Sequence, residues 1–173
     1  VHFSGNSCNM AAISKLAEEY KFSVIEDASH AIGGDYHSEP IGSCKCSDIC
    51  VFSFHPVKIV TTAEGGVATT NNLLLAEKMD LLRSHGVSRK PNLMTENQHL
   101  PWFYQQLELG FNYRMTELQA ALGINQLKRL PEFIERRRYL AQRYRLLLEP
   151  LGLGLPAEND SSSWHLYVLQ LQK

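Results

Sequence analysis

Three short segments bring together residue types that can do chemistry: Glu26-Asp27-Ala28-Ser29-His30, Phe52-Ser53-Phe54-His55-Pro56-Val57-Lys58 and Thr61-Thr62-Ala63-Glu64-Gly65-Gly66. The first sets a carboxylate three residues from an imidazole. The second ends in a lysine that follows an apolar run and a proline and precedes two threonines. Burial disfavours the charged form of an amine, so a lysine held out of water there would lose its proton more readily and become a nucleophile. Each residue also has a purely structural explanation. Asp27 could cap or pair at a strand end, and His30 could be a hydrogen-bonded core histidine. Ser53 could alternate along a strand, and Glu64-Gly65-Gly66 could form only a turn. His55 reads as a residue that shapes the lysine turn rather than one that carries protons. Cys44, Cys46 and Cys50 are spaced C-x-C-x3-C, with no paired second half and with Cys50 inside an apolar run, so no metal site is expected.

Positioning these residues requires an α/β scaffold. Asn9 can cap a helix on which Met10, Ile13, Leu16, Ala17 and Tyr20 recur at helical spacing. The apolar run Phe22–Ile25 then reads as a buried strand ending in the acidic pair, the place where α/β proteins carry functional residues. A loop marked by Gly33, Gly34, Pro40 and Gly42 leads to a second buried strand, Ile49–Phe54, stopped at His55-Pro56 because proline cannot donate to a ladder. Gly66–Thr70 reads as a third strand, running antiparallel. Asn71 or Asn72 would cap a helix with Leu75, Met79 and Leu82 on one face. Residues 84–112 lack periodicity and read as a functional loop or lid. Thr116-Glu117-Leu118-Gln119 reads as a capping box opening a helix that is apolar nearly all round and so should be buried. Pro131 suits the first turn of the next helix, lined on one side by Phe133, Ile134, Arg137, Leu140, Ala141, Tyr144 and Leu148. The run Arg136-Arg137-Arg138 reads as a solvated or interfacial face. Gly152, Gly154, Pro156 and Ser161–Ser163 read as a linker, and Trp164–Leu169 as the start of a strand continuing to Lys173.

The 173 residues are 44% hydrophobic and 20% charged, with 17 basic against 18 acidic side chains. That balance describes an ordinary globular chain and excludes disorder, collagen and small disulfide scaffolds. A net charge of −1 gives no electrostatic footprint for nucleic acid or an anionic membrane. No apolar run approaches the roughly 20 residues of a membrane span, and with four cysteines and no signal peptide a cytoplasmic location is expected. The chain starts Val1-His2-Phe3 and ends within an expected strand, so a segment of something longer is expected.

The motifs together resemble the DegT/DnrJ/EryC1/StrS family, the fold-type I sugar aminotransferases that use pyridoxal phosphate. The resemblance runs in order through Val24-Ile25-Glu26-Asp27-Ala28-Ser29-His30-Ala31, Val51–Lys58, Thr62–Gly66, Arg83-Ser84-His85-Gly86 and Gly110-Phe111-Asn112-Tyr113-Arg114-Met115-Thr116-Glu117-Leu118-Gln119-Ala120. It implies a mostly parallel sheet flanked by helices, with residues 1–130 the C-terminal half of the cofactor-binding large domain and residues 131–173 a linking helix and the start of the small domain. It implies amino transfer from an amino-acid donor, usually glutamate, to a nucleotide-linked 4-keto-6-deoxy sugar by a homodimer. Lys58 would bond the cofactor as a Schiff base and shuttle the proton. Asp27 would face the pyridine nitrogen, His30 would lie beside the ring, and Ser53 would bind the phosphate. Asn112 would reach the phosphate of the neighbouring subunit, and Tyr113 and Arg114 would meet the nucleotide sugar. Lys58 argues against the family's sugar dehydratases, in which histidine replaces it. The remaining alternative is a truncated, non-catalytic remnant that folds or dimerises without activity. Exposed apolar surface is expected of such a chain.

Overall fold

The computed structural model describes residues 1–96 and 100–171. In chain order its elements are α1 (Met10–Tyr20), β1 (Ile25–Asp27), β2 (Asp35–Tyr36), β3 (Glu39–Pro40), β4 (Ile49–Ser53), β5 (Gly66–Thr69), α2 (Leu73–Leu82), β6 (Val87–Ser88), β7 (Gln105–Gln106), α3 (Glu117–Lys128) and α4 (Leu130–Leu148), with 3-10 turns at Phe3–Gly5 and Glu149–Leu151. The expected α/β class is observed. The elements fall into two compact units, one of Val1–Asn71 with Glu117–Lys173 and one of Asn72–Thr116. No described helix is long and apolar enough to cross a membrane.

In the first unit the sheet order is β1-β4-β5. Strands β1 and β4 run parallel with Asp27 opposite Val51, and β5 runs antiparallel to β4, as its sequence suggested. Along β4 burial alternates, with Cys50 and Phe52 inside and the residues between them half-covered. The expectation of a buried first strand over Phe22–Ile25 is corrected: the strand is Ile25–Asp27, with Ile25 64% exposed and Phe22 before it 49%. The core gathers Met10, Val24, Ala28, Ala31, Cys50, Phe52, Phe54, Ile59 and Val60, joined by Ile134 and Ala141 from α4. Helix α1 begins where Asn9 accepts a hydrogen bond from the Ala12 backbone N–H at 3.1 Å. The loop expected around Gly33–Gly42 contains an antiparallel hairpin, β2 with β3. Its two turn residues, His37 and Ser38, have φ of 51° and 65°. Such paired positive φ values make the tight turn that matches strand twist, and no glycine stands there to announce it.

In the second unit Asn72, not Asn71, caps α2, accepting from the backbone N–H groups of Leu74 and Leu75. The expected lid holds one regular feature among its described residues, the antiparallel pair β6 with β7; positions 97–99 of that expectation lie outside the described residues. Trp102 and Tyr104 are 66% and 55% exposed. Gly86 explains why the Arg83–Gly86 motif ends in glycine. Its φ is +67°, and an added Cβ would sit 2.0 Å from the Glu108 carbonyl oxygen. We expect Gly86→Ala to cost about 3 kcal/mol, left-handed strain plus a backbone clash, visible as a fall in the denaturant midpoint with an unchanged slope.

Two further expectations are corrected. Helix α3 is not buried: Leu118 is 85% exposed and Ile124 56%, and Gly123 is its only buried described residue. Among the described residues its apolar surface lies largely open, in keeping with the expected exposed apolar surface. The C-terminal segment is neither a linker nor a strand over its described residues. Ser162 and Ser163 are fully buried, and beyond them the one ladder contact is an isolated bridge between Gly154 and Gln170. Buried hydroxyls are as a rule hydrogen-bonded: that of Ser163 donates to the His30 carbonyl, that of Ser162 accepts from the Trp164 N–H, and the half-buried Ser161 donates to Asp35. Residues 172 and 173 of the expected strand lie outside the described residues.

Candidate functional site

The site forms at the carboxyl ends of the parallel pair. Asp27 closes β1, anchored by its carbonyl accepting from the His2 N–H at 2.9 Å, while the next residue, Ala28, donates to Val51 on β4 at 2.8 Å. The Asp27 carboxylate accepts from the Ser29 N–H at 3.0 Å. Hydrogen bonding to Ser29 holds its pKa below the usual carboxylate range, so it stays ionised. The alternation of β1 turns its neighbour Glu26 the other way, into a buried contact with His2 Nε2 at 2.6 Å.

Lys58 follows β4 on a loop whose closure is written in short-range bonds. Its backbone N–H donates to the His55 carbonyl at 2.9 Å, and the His55 ring Nδ1 accepts from the Val57 N–H at 3.4 Å. His55 thus shapes the turn, as its place beside the proline suggested. The return limb is fixed by Thr62 N–H to the Phe54 carbonyl at 3.0 Å, and Phe54 N–H to that of Gly65 at 2.8 Å. Val60 and Thr62 beneath the lysine are fully buried, and the Gln119 amide donates to the Glu64 carbonyl at 2.9 Å. A lysine on so determined a loop presents its amine from a fixed backbone.

Asp27, His30 and Lys58 come together. The His30 imidazole is held below its ordinary pKa first by burial and second by the positive charge of Lys58, against an opposing pull from Asp27. Its Nδ1 is buried without a partner among the described residues. Ser53 lies at the end of β4, where its Oγ accepts from the His55 N–H at 3.3 Å, leaving its own proton to donate. Asn112, Tyr113 and Arg114 lie in the second unit. There Asn112 bridges to Ser84, the Tyr113 ring stacks on Phe111 at 4.9 Å, and the Tyr113 N–H donates to the Arg83 carbonyl. Tyr113 is 74% exposed.

The structure adds two residues that were not among the candidates. His165 packs its ring against His30, centroids 4.5 Å apart. Arg137 donates to the carbonyls of Trp164 and His165 at 3.1 and 3.2 Å. This corrects the solvated reading of the arginine run for Arg137, which is half-buried. The signal was present: an arginine in an apolar helix stripe needs acceptors. Of the cysteines, Cys50 is fully buried and its thiol is pushed up to about 12, first by burial and then by Glu26, which makes it inert.

A parallel strand pair with a loop lysine, an ionised aspartate and an imidazole beyond its carboxyl ends holds them where α/β proteins bind ligands. The model of the DegT/DnrJ/EryC1/StrS aminotransferase family matches residues 1–173, and the chain belongs to that family. It is 45% identical over 174 residues to the UDP-4-amino-4,6-dideoxy-N-acetyl-beta-L-altrosamine transaminase of Campylobacter jejuni serotype O:2, covering 99% of this chain and 43% of that protein. It is 38% identical over 175 residues to the UDP-4-amino-4-deoxy-L-arabinose--oxoglutarate aminotransferase of Shewanella sediminis, covering 99% of this chain and 44% of that protein. The solved structure of Helicobacter pylori PseC, an aminotransferase involved in pseudoaminic acid biosynthesis, superposes with a TM-score of 0.90 at 33% identity, covering 99% of this chain and 44% of that one. The chain thus spans under half the length of the relatives it matches.

Proposed function

We propose that this protein transfers an amino group from glutamate to the C4 ketone of a nucleotide-linked 6-deoxy sugar, using pyridoxal phosphate. The observation that carries this function is the convergence of Asp27, His30 and Lys58 at the carboxyl ends of β1 and β4. The family and the names of the two sequence relatives support the reaction class; a UDP-linked substrate and a glutamate–oxoglutarate pair are the choices those names favour.

The residues present fit the cofactor. An Asp27 carboxylate held ionised by Ser29 suits a protonated ring nitrogen, and the unpartnered, uncharged His30 suits a wall beside a polar aromatic ring. Bound pyridoxal phosphate supplies an electron sink that acidifies the C–H bond next to the transferred nitrogen. Lys58 would then have two tasks: its amine would hold the cofactor, and as a free amine it would take a proton from the donor's carbon and deliver one to the sugar carbon. The ionised Asp27 carboxylate would favour the protonated form of the cofactor's ring nitrogen. The Ser53 hydroxyl donates to the phosphate. Asn112 reaches the phosphate in the second protomer of a homodimer, and Tyr113 and Arg114 meet the nucleotide sugar. Residues 1–130 form the C-terminal half of the cofactor-binding large domain, residues 131–173 a linking helix and the start of the small domain, and the reaction takes place in the cytoplasm.

The test is covalent trapping. On adding pyridoxal phosphate to the whole protein, a visible absorbance band is expected that borohydride removes, fixing the cofactor's mass on the peptide bearing Lys58. A label on another lysine, or none, would defeat the assignment.

A further inference from the structure

His165 lies on the C-terminal segment, 107 residues beyond Lys58 in sequence (165 − 58), yet its ring faces the site. Three sets of contacts hold it there. Trp164, immediately before it, has φ of +49°, a left-handed turn that an L residue adopts only when its surroundings impose it. The Trp164 N–H donates to the Ser162 hydroxyl at 3.0 Å. The segment is laced to the N-terminal turn, with Ser163 N–H to the Gly5 carbonyl at 3.1 Å and Leu166 N–H to that of Ser4 at 3.3 Å. No side chain fits between them, since a Cβ on Gly5 would lie 2.5 Å from Ser163 Oγ. The Ser163 hydroxyl in turn donates to the His30 carbonyl at 2.8 Å. Finally, Arg137 takes up both carbonyls flanking the His165 peptide, giving charge-assisted bonds that fix the plane from which the ring projects.

The ring meets His30 at 4.5 Å with a tilt of 39°, while Phe3 lies against the other histidine at 5.9 Å, tilted 51°. Nδ1 of both imidazoles is buried without a partner among the described residues. Strain at Trp164 and a desolvated guanidinium are an unusual outlay for filling space, which a leucine could do.

We propose that His165 is a positioning residue: its ring is the inner wall that sets the orientation of His30 beside Lys58 and Asp27, and through His30 the seat of the cofactor ring. This builds on the cofactor assignment above. The charged and titratable groups facing the pair support it. Burial, His30, Arg137 and Lys58 bring His165 down to about 4, in that order of influence, so it packs on His30 as a neutral ring across the physiological range. His30 is faced by His165, Lys58 and Asp27.

The experiment compares His165→Ala and His165→Phe with the parent in the whole protein. Two readouts are used: the NMR titration of the His30 ring in the cofactor-free state, and cofactor affinity from the visible band. Removing the ring opens His30 to water. His165→Ala should therefore raise the His30 midpoint by roughly half a unit or more and weaken cofactor binding about 5- to 10-fold. His165→Phe restores an aromatic wall, so it should return the midpoint to the parental value and affinity to within about 2-fold, with an unchanged melting temperature. The proposal is overturned if His165→Ala leaves both readouts unchanged, or if His165→Phe is as impaired as alanine. Should the alanine variant not fold, the phenylalanine variant decides alone. Should the parent bind no cofactor, the cofactor assignment falls, and the His30 titration still decides whether His165 sets the environment of that ring.

Discussion

Lys58→Arg is expected to abolish amino transfer, by about 10³-fold or more, in a protein that remains folded. A guanidinium keeps the positive charge, the length and the flexible stem, so the field felt by His30 and Asp27 is preserved. It stays protonated at every workable pH and its planar nitrogens do not serve as an amine nucleophile. The loop itself does not depend on the side chain. It is held by the backbone bonds of His55, Lys58, Thr62 and Phe54 and by the burial of Ile59, Val60 and Thr62. Loss of a positioned proton carrier is worth about 10²–10⁴-fold by itself, and loss of covalent attachment adds to it. The check is turnover with glutamate and a UDP-linked 4-keto-6-deoxy sugar, beside a melting curve. Retention of a tenth of parental turnover with an intact fold would remove Lys58 from the chemistry. A melting temperature lowered by more than a few degrees would instead give the lysine side chain a structural role.

The second large effect concerns stability. Glu26 is 8% exposed and accepts from His2, itself 1% exposed, at 2.6 Å, and from the Ser47 hydroxyl. His2 Nδ1 accepts from the Cys8 N–H at 3.1 Å, so the ring's proton sits on Nε2 and is donated to the carboxylate. Glu26→Ala leaves two buried donors, the His2 ring N–H and the Ser47 hydroxyl, without their acceptor, at roughly 1–3 kcal/mol each. We therefore expect a loss of about 4 kcal/mol, or roughly 10 °C in melting temperature for a chain of this size. Glu26→Gln keeps one acceptor oxygen and should lose about half as much.

The same carboxylate gives stability a pH dependence. Burial raises its pKa, but the His2 and Ser47 hydrogen bonds outweigh burial, and the folded value lies below the ordinary 4.5. A depressed folded pKa stabilises above the unfolded value and loses that contribution as pH falls through the folded one. Stability should be flat in this term above about pH 5 and decline below pH 4.5. The decline should be shallower in Glu26→Gln, which has nothing there to titrate. Urea midpoints of the two proteins between pH 7 and pH 3 check it, and parallel acid declines would refute the assignment to Glu26.

Glu26 and Asp27 also show where local sequence is sufficient. Adjacent residues on a strand face opposite ways, so one of the two acids had to be turned inward and the other left at the edge, and the parallel partner β4 had to bring Lys58 to that same edge. The cap at Asn9, the strand end at Pro56 and the antiparallel return at Gly66 rest on equally local physics, and each stands in the structure. The hairpin at His37-Ser38 was not legible, because both residues are held at positive φ by the surrounding contacts rather than by any intrinsic preference. The exposed face of α3 was misjudged for a related reason. Periodicity reports that a surface is apolar, whereas burial depends on what packs against it, and Leu118 is left 85% exposed among the described residues.

Spacing, turn chemistry and side-chain identity determined most element types from sequence alone, and the resemblance of the ordered motifs to the family pointed to Asp27, His30, Ser53 and Lys58. Only the tertiary structure decided that His165 packs against His30. His165 meets His30 across 135 positions (165 − 30), and Arg137 holds the His165 carbonyl from helix α4. Such contacts come from the way segments pack, and no local pattern encodes them.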